Sequence, residues 1–128
     1  MAPETLNYGN FIDRLLEYVP EFKSVYDEHR RYYGEVLPHV LLADFTRFIL
    51  DAYAKSIKSE HHSQSYHKIF DRGVDLMEHA LESTDPKLRE LVAVSFLENL
   101  DQAEDFYSEI RSLLGPRLKA QLLTYESD

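Results

Sequence analysis

The sequence contains no cysteine and no tryptophan, and only four glycines and five prolines in 128 residues. Without cysteine there can be no disulfide, no thiolate metal site and no cysteine nucleophile, a composition that suits a reducing compartment. Gly-x-Ser-x-Gly, His-Glu-x-x-His and Glu-x-x-His are all missing, and the few glycines form no phosphate-cradling loop. No apolar run approaches the roughly 20 residues that a membrane span needs. The start, Met1-Ala2-Pro3-Glu4-Thr5, has neither the basic nor the apolar stretch of a signal peptide. The expectation is a soluble, cytoplasmic protein that takes no cofactor, does not act in a membrane and shows no motif of an enzyme.

What is present is enough apolar material for one core. With 44% hydrophobic and 29% charged residues, residues 1–128 read as a single domain. Apolar residues recur at three- and four-residue spacing, and strand-like alternation bounded by turn residues is missing. The fold class is therefore all-α: a compact bundle or short stack of six to seven antiparallel helices, with a HEAT-like outline in the second half.

A first helix starts after Asn7 or Asn10, either of which could cap it, and places Phe11, Leu15, Leu16 and Val19 on one face. Pro20 opens a second, which runs to about Tyr33 before Gly34 stops it. A third spans Pro38 to about Lys55 with a wide apolar band including Leu41, Phe45, Ile49 and Tyr53. Lys58 to Ser65 is polar and aperiodic and reads as a loop. The fourth helix turns Ile69, Phe70, Gly73, Val74 and Met77 inward. Asp85-Pro86 caps and starts a fifth, which reaches about Asn99 and, being apolar on nearly every side, is expected to be the most buried. A sixth runs from about Gln102 to Leu114, and Gly115-Pro116 separates it from a short seventh through Leu118, Leu122 and Leu123.

Charge is the most informative bulk property, because its excess is local. Residues 1–70 carry 10 acidic and 8 basic residues, whereas residues 71–109 carry 11 and 3. Such a surface repels phosphate, which argues against nucleic acid as a partner and in favour of a basic protein. In the fourth helix Asp71, Asp75, Glu78 and Glu82 are spaced by four, three and four and fall on one stripe. Glu98, Asp101, Glu104, Asp105 and Glu109 follow with no basic residue between them. Like charges at this spacing cost a few tenths of a kcal/mol each, so these nine residues form the candidate partner-binding surface. The plain alternative is an ordinary solvated face.

Other residues point less sharply. His61, His62 and His67, with Glu60 and Asp71 nearby, are the residues a metal-dependent enzyme would use, but adjacent histidines on a loop point apart and converge poorly on one ion. No metal ligand is therefore assigned. Nine tyrosines, among them Tyr8, Tyr32, Tyr33, Tyr107 and Tyr125, suit either interface anchors or the half-buried edge of a core. Asp44 and Arg47, three apart after His39, read as a lock on the start of the third helix, with a place in a binding surface as the alternative.

Three stretches carry a family resemblance. Phe11-Ile12-Asp13 to Phe22, the block Tyr33 to Val40 followed by Asp44, Thr46 and Arg47, and the block Leu91 to Leu100 resemble a small bacterial helical domain family of unknown function. Members of that family are often encoded among polymorphic-toxin loci, beside immunity proteins. The resemblance implies an immunity-type inhibitor that binds and neutralises a cognate toxin protein by protein–protein contact, and the acidic surface suits a basic toxin, for example a nuclease. A helical adaptor or scaffold is the alternative.

Overall fold

A computed structural model describes residues 5–58 and 63–126. The described chain is helical, with no strand among the described residues, and none of its helices is long and apolar enough to cross a membrane. Helix α1 covers Phe11–Tyr18. Neither Asn7 nor Asn10 caps it through its side chain. Their amides instead close a turn on each other, Asn7 N–H donating to Asn10 Oδ1 at 2.9 Å and Asn10 N–H to Asn7 Oδ1 at 3.0 Å. A 3-10 turn, Pro20–Phe22, leads into α2, Lys23–Tyr33. Gly34 ends α2 at φ 76°, its N–H reaching Arg30 O at 2.9 Å, a conformation that glycine adopts without a Cβ penalty.

The centre of the molecule is α3, Pro38–Lys58, three residues longer than the sequence suggested. It packs on α4, Ser63–Ala80, on α5, Pro86–Ser95, and on the segment that follows α5. Tyr53 meets Phe70 with ring centroids 4.9 Å apart, while Ile49 and Phe45 meet Gly73. Numbers that rise along one helix fall along the other, so the pair is antiparallel. A Cβ on Gly73 would lie 2.9 Å from Ile49 Cγ2 and 3.1 Å from the tip of Phe45, so the absent side chain sets how closely the two helices approach. From the other side Phe22 packs edge-on against Phe45 at 5.0 Å and joins α1 and α2 to the same core.

Two sequence expectations change here. The polar stretch Lys58 to Ser65 is helical wherever it is described: Lys58 ends α3, and Ser63 to Ser65 form the first turn of α4. His61 and His62 lie outside the described residues. Helix α5 is shorter than expected, ending at Ser95, and buries five of its ten residues while Val94 stays exposed; α3 buries eight of its 21. The stretch read as two long helices is three shorter elements: α5, a 3-10 segment over Leu97–Phe106, and α6, Tyr107–Leu113. Helix α7, Pro116–Glu126, closes the chain and buries Leu118 and Leu122.

Asp85 caps α5 as expected, accepting Lys87 N–H at 3.0 Å, and it does more. Its second oxygen accepts the N–H of Tyr8 at 2.8 Å, and Ser83 Oγ–H donates to Leu6 O at 2.7 Å, so the segment before α1 is clasped to the α4–α5 turn. The Tyr8 N–H, followed by those of Lys87 and Leu88, holds the Asp85 carboxyl below the usual carboxylate range.

Two outcomes follow from this packing. Gly73→Ala gains helix propensity of about 1 kcal/mol yet should lower stability by about 1–2 kcal/mol in urea unfolding, because overpacking outweighs the gain. A stabilised variant would mean that α3 and α4 separate easily. Because the Asp85 carboxyl is depressed in the folded state, its contribution is complete above the ordinary carboxylate range and is lost as pH falls through the lowered value. Asp85→Asn should therefore unfold with a shallower loss of stability between about pH 5 and about pH 2 than wild type does.

Candidate functional site

The acidic stripe on α4 and the turn after it exists, and each of its residues has a partner in the same molecule, though Asp71, Asp75 and Glu82 remain exposed. Asp71 lies 3.4 Å from His67 Nε2 in the turn before it. Asp75 accepts the phenol of Tyr18 at 2.6 Å and lies 3.5 Å from His79 Nδ1. The bond to Asp75, aided by burial, raises the Tyr18 phenol above its ordinary range. Glu78 is fully committed: its two oxygens accept Arg117 N–H at 2.9 Å and Leu118 N–H at 3.0 Å, supplying two acceptors that the first turn of α7 lacks. Gly115 makes room for this, since a Cβ there would sit 2.4 Å from Glu78 Oε1. Glu82 faces Arg117 Nε at 3.5 Å. The stripe thus ties α1 and α7 to α4, which offsets the repulsion among its own charges.

The second acidic group is arranged differently. Glu98, Asp101, Glu104 and Asp105 are exposed on the 3-10 segment, with no ion pair or side-chain hydrogen bond among the described residues. A 3-10 helix has about three residues per turn, so side chains three apart eclipse. Leu97, Leu100 and Ala103 make the buried row, with half-buried Phe106 continuing its spacing. Glu98 and Asp101 fall on an adjacent row. The α-helix ends because Asn99 Nδ2–H donates to Ser95 O at 2.8 Å, drawing off the carbonyl that the next α-turn would use. At Glu104 the path bends through φ 52° and ψ −110°, a conformation that costs a non-glycine residue about 1–3 kcal/mol. Glu109, beyond the bend, turns to α3 and accepts the Tyr53 phenol at 2.8 Å; burial and this bond raise the Tyr53 phenol above its usual range.

Between the 3-10 segment and α7 lies a hollow of about 430 Å³. Leu97 and Leu122 line it with Tyr107 and Tyr125, and Glu98 and Asp101 stand beside them. A site with apolar floor, aromatic walls and carboxylates at one side can take a long cationic side chain, whose stem is apolar and whose head is charged. Four of the nine expected residues, Glu98, Asp101, Glu104 and Asp105, therefore share one solvent-facing stretch. The other five, Asp71, Asp75, Glu78, Glu82 and Glu109, contact residues of their own chain.

The remaining candidates scatter. His67 sits on α4 near Tyr53 and Phe70, and no group of three or more potential metal ligands occurs among the described residues. His39 Nδ1 pairs with Ser95 Oγ at 2.6 Å, joining α3 to α5, and Thr46 Oγ1–H reaches Ser95 O at 3.2 Å. Asp44 and Arg47 form the expected ion pair. His29 is the residue whose role the sequence did not disclose: it belongs to an apolar stripe by spacing, yet its ring is a buried polar group facing Asp44.

Removing the Glu78 carboxylate should detach the start of α7. Glu78→Ala is expected to cost about 1–2 kcal/mol in chemical denaturation, in the range of a lost helix cap. Glu78→Gln, which keeps an acceptor, should cost less than half of that, and equal losses would show that charge alone does the holding.

No curated protein and no solved structure matches the chain. A family model matches residues 12–127, a span that takes in nearly every element from α1 to the end of α7. The chain belongs to that family, whose description is Domain of unknown function (DUF7674).

Proposed function

We propose that this domain is a protein-binding module that docks a basic partner on the acidic 3-10 segment, with a lysine or arginine of the partner entering the hollow beside Glu98 and Asp101. The observation that carries the reading is the division of the acidic residues. Those on and just after α4 each have a side-chain or main-chain partner in the same molecule, whereas Glu98, Asp101, Glu104 and Asp105 stand exposed without side-chain partners among the described residues. They border a hollow with Tyr107 and Tyr125 on its walls. Exposed charge of one sign speeds encounter with a partner of the other sign, and buried aromatic anchors hold it.

In its narrower form the partner is a toxin and the domain an immunity-type inhibitor. Two things support that form: the resemblance of the Tyr33–Val40 and Leu91–Leu100 blocks, which implies a place among toxin loci, and the fit of an acidic inhibitor to a nuclease whose active site is basic. A helical adaptor would use the same surface for another basic protein. Co-purification with proteins encoded beside this chain separates the two, since capture of the C-terminal domain of a secreted protein selects the inhibitor.

With the captured partner, the combined variant Asp101→Lys, Glu104→Lys and Asp105→Lys should keep its fold by circular dichroism. Its association should be at least about tenfold slower at low salt. Wild-type association should slow steeply as salt rises, and the variant should hardly respond. An affinity indifferent to both reversal and salt would remove the acidic segment from the mechanism.

A further inference from the structure

Helix α2 packs against the 3-10 turn and α3, and its two ends are held differently. At the start, Phe22 is wholly buried and stands edge-on to Phe45. Beyond it the eleven residues of α2 bury a single side chain, His29, 4% exposed, while Val25 and Tyr26 are half-buried. An apolar anchor would hold at any pH, whereas histidine is the side chain whose charge ordinarily changes between about pH 5 and about pH 8. The Nε2 of His29 accepts the N–H of Leu37 at 3.0 Å, across the connection that runs from Gly34 to Pro38. The ring therefore ties the end of α2 to the start of α3.

That bond needs a lone pair, so Nε2 carries no hydrogen and the ring is neutral with its hydrogen on Nδ1. The Nδ1–H is sealed from solvent and has no hydrogen-bond partner. Asp44 Oδ2 lies 3.8 Å from it, about 1 Å longer than a charge-assisted hydrogen bond. The other Asp44 oxygen is held by Arg47. A proton added at Nε2 would point into the N–H of Leu37, turning an acceptor into a second donor. The same proton gives the ring a charge that the Asp44 carboxylate attracts. The neutral ring is thus held on the Leu37 side and the charged ring on the Asp44 side, so the two protonation states favour different positions. The charged and titratable groups around the ring are Glu28, Tyr32 and Tyr33 on α2 and Asp44 and Arg47 on α3, while Glu35, in the connection, is exposed. Arg47 opposes the charged ring, and Asp44 and Glu28 favour it.

We propose that His29 is a proton-operated latch: on protonation its ring releases the N–H of Leu37 and moves to Asp44, and the end of α2 that carries Tyr32 and Tyr33 comes away from α3. The start of α3 keeps its own ladder, because Leu37 O still accepts Leu41 N–H at 2.8 Å. The start of α2 stays in place because Phe22 does not titrate. Tyr32 is 80% and Tyr33 42% exposed, so what the latch moves is a pair of aromatic side chains at the surface. It shares no residue with the acidic 3-10 segment and stands independently of the docking proposed there.

The test is nuclear magnetic resonance of the full ¹⁵N-labelled chain from about pH 8 to about pH 5, the range in which histidine ordinarily changes charge. The His29 ring nitrogens should pass from the neutral to the cationic pattern. With the same midpoint, the protection of Leu37 N–H against hydrogen exchange, taken relative to the unstructured rate at each pH, should fall at least about tenfold. Protection of core amides such as those of Ile49 and Met77 should stay level, which separates unlatching from global unfolding. His29→Gln keeps a side-chain acceptor but cannot titrate, so Leu37 protection should no longer depend on pH. Asp44→Asn leaves the Leu37 bond intact and removes the partner of the charged ring, so both midpoints should move together to lower pH. This second variant decides the matter where His29→Gln fails to fold. The proposal is overturned by a His29 ring that stays neutral down to about pH 5, or by one that becomes charged while Leu37 stays protected. Loss of Leu37 protection that persists in His29→Gln, or midpoints that do not move together in Asp44→Asn, assigns the opening to another group and overturns it as well.

Discussion

The close contact of α3 with α4 at Gly73 is the constraint on which the remaining packing depends. With no side chain at that position, Ile49 and Phe45 settle directly against the α4 backbone, and α3 is left free to bury its other sides against α5, the 3-10 segment and α2. Its wide apolar band has a reason in this arrangement: a helix with neighbours on several sides needs more than the single stripe of an ordinary surface helix. The peripheral elements are then fastened by polar links at their ends. His39 and Thr46 fasten α5, Tyr53 fastens α6, and Asp85 fastens the segment before α1.

Acidity has two separate uses in this molecule. On α4, carboxylates replace what the helix ends and phenols of neighbouring elements lack, so the charge is spent on cohesion. On the 3-10 segment the same residue types are left to the solvent. Sequence spacing alone does not separate these cases, because a run of Asp and Glu looks the same whether its partners are backbone N–H groups forty residues away or water. The decisive partners of Glu78 are main-chain atoms of Arg117 and Leu118, which have no signature in composition.

The all-helical class, the Asp85-Pro86 start, the Gly34 stop and the inward faces of α1, α3 and α4 were legible because each rests on local chemistry: period, cap or turn. The 3-10 segment was misread as the ends of two α-helices. Leu97, Leu100, Ala103 and Phe106 do repeat every three residues, and that period was the available signal. It passed as helical because spacing of three also belongs to an α-helix face. His29 was hidden for a related reason, since its position on an apolar stripe says that it is buried and not what its ring meets. Only the fold brings Asp44 and the N–H of Leu37 to its two nitrogens.

The period of three over Leu97–Phe106 has a consequence for how such a domain can change over generations. Before the bend at Glu104 one residue in each turn is bound to the core, and Glu98, Asp101 and Gln102 project outward without contributing to the packing beneath. Substitutions at positions such as 98, 101 and 102 therefore alter the chemistry offered to the outside at little cost to the hydrophobic framework. A lineage can retune that face residue by residue while Leu97 and Leu100 stay in place, so the segment separates the part of the molecule that must persist from the part that can diverge.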